Sequence, residues 1–140
     1  MIWVRRAHLV VAWAFVAGVF IQYFLAGLGV FKSSENFQTH AGFGFLLGLL
    51  TLVILVLAAV GGLGRRQVQY AAGLFGLFFV QSMLVSLRSS NPTIAALHPV
   101  NGLLILLVSV AMARAAWRAR NAEPSSSPAT AQPAESTVGS

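Results

Sequence analysis

The sequence predicts an all-α fold: a bundle of four transmembrane helices assembled from two repeated helical hairpins. Three observations predict it. Of 140 residues, 57% are hydrophobic and 9% charged, with mean hydropathy +0.79, whereas a soluble domain carries about 25% charged residues. The apolar residues gather into four blocks, each near the roughly 20 residues that cross a bilayer core. The second pair of blocks repeats features of the first. Lipid offers backbone polar groups no partners, so spanning segments are helices or closed barrels, and runs this uniform lack the alternation of barrel strands.

The first block, residues 7–31, follows the basic start "MIWVRRA". Its apolar stretch is too long for a signal-peptide core, and no A-x-A-like site follows "FLAGLGVF", so it is read as a retained first helix. The other blocks are residues 40–64, 69–87 and 98–117, within a transmembrane domain of residues 1–120. Residues 121–140, "NAEPSSSPATAQPAESTVGS", are rich in Pro, Ser and Ala without apolar periodicity. They are expected to form a disordered cytoplasmic tail.

The net charge of +6 is explained by where the charges lie. Arg5, Arg6, Arg65, Arg66, Arg114, Arg118 and Arg120 fall near one set of helix ends, and only Lys32 and Arg88 near the other. The positive-inside rule then predicts a multi-pass protein of the cell (inner) membrane with cytoplasmic termini. Loops 32–39 and 88–97 face outward. The basic ends meet anionic lipid headgroups, and no nucleic acid is needed as partner.

The repeat is legible when the halves are aligned. The first reads "GVFIQYFLAGLGVFKSSENFQTHAGFGFLLGLL" and the second "GLFFVQSMLVSLRSSNPTIAALHPVNGLLILLV". Each runs through an aromatic-rich segment with one glutamine (Gln22, Gln81), then a basic residue before Ser-Ser (Lys32, Arg88). Each then has a histidine (His40, His98) with a glycine four residues on (Gly44, Gly102). This reads as a duplicated hairpin. Parallel repeats place the symmetry axis along the membrane normal. His40 and His98 are then expected at one depth, on opposite sides of the axis.

Residues four apart share a helix face, so Gly44 and Gly102 lie one turn beneath the imidazoles. Such glycines permit close helix approach or leave a slot for a flat ligand. Two facing histidines above two glycines suit one haem b, with His40 and His98 as axial metal ligands. Lys32 and Arg88 would pair with propionates, and Gln22 and Gln81 would hydrogen-bond a ring nitrogen or propionate. The plainer reading keeps both histidines as helix-end residues, with Asn91 capping a helix start at Pro92 and the glycines serving packing.

Other chemistries lack their residues. There is no cysteine, which excludes disulfides, iron–sulfur clusters and c-type haem attachment. The acids Glu35, Glu123 and Glu135 lie outside the spans, against proton-coupled antiport. Ser82, Ser86 and Ser109 have no evident base, and no catalytic set emerges. His8, beside Arg5 and Arg6, has no histidine partner at its end and is read as interfacial, with Trp3, Trp13 and Trp117 as belt residues.

The pieces "QYFLAGLGVF", the His40 segment and "ALHPVNG" together resemble a family of small four-helix membrane proteins of bacteria and archaea, known only as a domain of unknown function. The resemblance covers about residues 7–117 and implies four helices in a membrane, with no activity to transfer. More loosely, the chain is similar to helical-hairpin haem proteins such as cytochrome b types and haem A synthase. It lacks their second histidine pair and a glutamate beside a helical histidine, so the resemblance implies one bis-histidine haem at most. The expected function is haem binding for electron transfer or haem handling. The alternative is a cofactor-free accessory or assembly subunit of a larger membrane complex, or a homodimer, and a small permease ranks last.

Overall fold

The structure is a computed structural model that describes residues 2–122. It is all-α. Four long helices, α1 (Ile2–Phe31), α2 (Asn36–Val60), α3 (Arg65–Ser86) and α5 (His98–Asn121), are joined by short turns, with the one-turn α4 (Pro92–Ala95) before α5. Each long helix is apolar enough to cross a membrane.

Helix ends depart from the apolar blocks for identifiable reasons. Helix α1 starts at Ile2 rather than residue 7, and α3 at Arg65 rather than 69. Arginine is a good helix former, so the helix continues past the hydrocarbon edge. Helix α2 starts a turn early at Asn36 and stops at Val60. The stop is a glycine turn in which Gly62 (φ 59°) and Gly64 (φ 87°) adopt left-handed backbone that side-chain-bearing residues avoid. Asn91 caps α4 by accepting the Ile94 N–H at 3.2 Å. Asn121 is the last residue of α5, and the expected tail from residue 123 onward lies outside the described residues.

Helix α1 packs on α2 and α5, and α3 packs on the same two. The bundle therefore has two diagonals, α1 with α3 and α2 with α5. Its centre is apolar: Ala12, Phe15, Ile54, Ala58, Ala71, Leu74, Met112 and Ala113 are fully buried. Phe15 meets the edge of Phe78 at 5.9 Å between ring centroids. Outward positions such as Phe24, Phe45, Leu49 and Leu107 are also apolar, as a lipid-facing surface requires.

Burial extends the repeat along the full length of the bundle. One shift carries His8, Ala12 and Phe15 of α1 onto Gln67, Ala71 and Leu74 of α3. A shift one residue shorter carries Leu47, Thr51 and Ile54 of α2 onto Ile105, Ser109 and Met112 of α5. All twelve are buried. The hairpins thus present equivalent faces to a common axis.

His8, at the arginine-rich end, is turned into the bundle: it is 1% exposed. Because α1 already runs from Ile2, His8 stands on the helix face of Ala12 and Phe15, at i+4 and i+7, and that face is the buried one.

Candidate functional site

The same periodicity sets the inward side chains at the opposite end. On α2, His40 shares a face with Gly44, Leu47 and Thr51. On α5, His98 begins the helix, with Asn101, Ile105 and Ser109 continuing inward. Across the α2–α5 diagonal the two imidazoles approach to 6.1 Å between centroids, with planes at 65°. The ring of Phe37 stands edge-on to His40 at 6.4 Å.

Each histidine is held by the neighbouring helix. His40 Nδ1 lies 3.1 Å from the backbone carbonyl oxygen of Gln22 on α1. His98 Nε2 lies 3.2 Å from Gln81 Nε2 on α3. Gln81 is held in turn by Asn101, whose amide donates to Gln81 Oε1 at 2.6 Å and to the Leu77 carbonyl at 2.9 Å. The Tyr23 hydroxyl donates to the Pro99 carbonyl at 3.4 Å. Two buried polar atoms here have no partner among the described residues, Gln22 Oε1 and His98 Nδ1.

The glycines leave room that neighbouring side chains use. A Cβ at Gly44 would stand 2.6 Å from Gln22 Nε2. One at Gly102 would stand 3.1 Å from the Tyr23 hydroxyl and 3.5 Å from Gln81 Nε2. His40, His98, Gln22, Gln81, Gly44 and Gly102 therefore converge on one polar cluster. Lys32 and Arg88 do not join it: both are exposed on the adjoining turns, and neither side chain hydrogen-bonds into the cluster among the described residues.

Sequence reasoning missed two members. Asn101 follows His98 by three residues, so helix-face spacing alone would have placed it beside the ring. Tyr23 had no such signal, since its partner Pro99 is brought by the packing of α1 on α5. At the arginine-rich end a smaller polar pair lies on the α1–α3 diagonal. His8 and Gln67, 1% and 6% exposed, leave Nε2 and Oε1 without partners among the described residues.

Among the described residues no group of three or more His, Cys, Asp or Glu is placed to hold a metal. Of these residue types, the site offers the two histidines.

Comparison with curated proteins and with solved structures finds no match. A family model does match, from Gln22 in α1 to Arg88 just beyond α3, taking in His40, Gly44 and Gln81 but ending before His98. Over residues 22–88 the chain is thus similar to DUF6220, a family of unknown function.

Proposed function

We propose that this is an integral membrane protein that binds one haem b between His40 and His98, for electron transfer or haem handling. The observation that carries the reading is the approach of the two imidazoles to 6.1 Å. With imidazole–metal bonds of about 2 Å, histidines at this separation could both reach one metal ion, and the haem would supply its iron.

The neighbours suit the same role. A ligating histidine is normally oriented by a hydrogen bond from its other ring nitrogen to a carbonyl or carboxylate, and the Gln22 carbonyl stands at Nδ1 of His40. Gln22, Tyr23 and Gln81 fill the space above the glycines, and rotation about their side-chain bonds would clear it. Gly44 and Gly102 matter because a larger residue would block that clearance. Lys32 and Arg88, exposed at this end, supply cations for propionates. The charge asymmetry supports an outward-facing position for this end. When bound, the haem would take up and release single electrons at its iron.

The test is an optical spectrum of the purified protein, oxidised and then dithionite-reduced, after expression with a haem supply. Sharp α and β bands with a shifted Soret peak support the reading. His40→Ala and His98→Ala should each abolish the low-spin spectrum and His8→Ala should retain it. Haem loss on changing His8 alone would overturn the assignment.

A second reading rests on a different observation. Beside Gly102, Gln81 bonded to His98 and Asn101 makes a hydrogen-bonded clamp between α3 and α5 that needs no cofactor. A cofactor-free accessory or assembly subunit would give a featureless visible spectrum under haem-replete conditions and co-purify with a larger complex.

A further inference from the structure

The repeat makes His40 and His98 equivalent in position, but their ring nitrogens are not equivalent. A carbonyl oxygen only accepts, so His40 Nδ1, 3.1 Å from the Gln22 carbonyl, carries a proton, and in the neutral ring the lone pair is on Nε2. Around His98 the direction of each bond follows from another carbonyl. The Asn101 atom 2.9 Å from the Leu77 oxygen must be the amide nitrogen. That NH2 also donates to Gln81 Oε1, which turns the Gln81 NH2 toward His98. A donor at 3.2 Å requires an unprotonated Nε2. The His98 proton therefore sits on Nδ1, buried and without an acceptor.

The difference traces to one substitution between the repeats. The shift that carries His40 onto His98 carries Phe43 onto Asn101. With phenylalanine there, nothing anchors the Gln22 side chain, which lies over Gly44 with Oε1 unpartnered. Only the second half has the amide that swings its glutamine onto a histidine.

Building on the haem reading of this site, we infer that Asn101 and Gln81 are positioning residues that set the His98 tautomer and hold its Nε2 closed. His40 is the open ligand, engaged first, and His98 is the gated one, engaged after Gln81 lets go. Loading is stepwise, with the order written into the sequence by Asn101.

Two measurements test this. In 15N-labelled apoprotein in detergent micelles, the imidazole signals of His98 should report a single Nδ1–H tautomer in the wild type. In Asn101→Leu they should report a mixture, while His40 signals stay unchanged. A wild-type His98 protonated on Nε2 overturns the inference, and this needs neither haem nor a folded variant. In stopped-flow mixing with haemin, the wild type should show a high-spin signal before a slower low-spin one. Gln81→Met should make the slow phase about tenfold faster, the factor for losing one neutral hydrogen bond. A slow phase unaltered by Gln81→Met would refute the gate. Absence of any haem uptake by the wild type would instead sink the haem reading, leaving the tautomer measurement to judge the positioning.

Discussion

Replacing Asn101 with alanine tests the anchor of the polar cluster. Asn101 is 7% exposed and ties α5 to α3 through two bonds, 2.9 Å to the Leu77 carbonyl and 2.6 Å to Gln81 Oε1. Interhelical hydrogen bonds within membranes are worth about 0.6 kcal/mol on average and about 1.7 at most. Two of them amount to about 1.2 kcal/mol. The truncation also empties roughly 25 Å3, which at about 24 cal/mol per Å3 adds about 0.6 kcal/mol. The expected loss is therefore about 2 kcal/mol, a shift of some 30-fold in the unfolding equilibrium. Titration of the protein in mixed micelles with a denaturing detergent, followed by circular dichroism, reads this difference. Gln81→Ala on the Asn101→Ala background should then add less than Gln81→Ala alone, because the two share a bond. Unchanged stability, or strictly additive effects, would refute the view that Asn101 holds Gln81 in place.

Five further substitutions separate packing from chemistry. His8→Leu removes a buried imidazole with an unpartnered Nε2, so stability should hold or rise by about 1 kcal/mol in the same titration; a loss of that size would reveal a hydrogen bond made by the ring. Gly61→Ala should destabilise by about 1–3 kcal/mol, because its Cβ would stand 2.5 Å from the Leu57 carbonyl and 2.6 Å from Val4 Cγ1. Gly73→Ala, whose Cβ meets open space, should be neutral or mildly stabilising. Thr51→Val and Ser109→Ala should each change stability by less than about 0.5 kcal/mol, since the hydroxyls bond the Gly48 and Leu106 carbonyls of their own helices; a larger loss for either would place its hydroxyl in an interhelical contact.

The proximity of His40 and His98 was legible because duplication is a sequence property, and a repeated hairpin must place equivalent residues about a common axis. The closed state of the slot was not legible. Whether Gln22, Tyr23 or Gln81 fills the space over a glycine depends on rotamers chosen by neighbouring helices, and Tyr23 reaches Pro99 76 residues away. The burial of His8 was missed for a related reason. Its neighbours in the chain, Arg5 and Arg6, suggested the interface, whereas its neighbours on the helix, Ala12 and Phe15, carry it inward.

By itself the sequence determined the helical class, the number of long helices and the repeat. Apolar length and the demand for internal backbone hydrogen bonding in lipid leave few alternatives. Only the tertiary structure decided which faces meet, and with them the hydrogen-bond partners of each histidine. The exposed faces of these helices are largely apolar, as the buried ones are, so hydrophobicity cannot choose among rotations; small residues, close packing and a few polar contacts such as Asn101 with Gln81 make that choice.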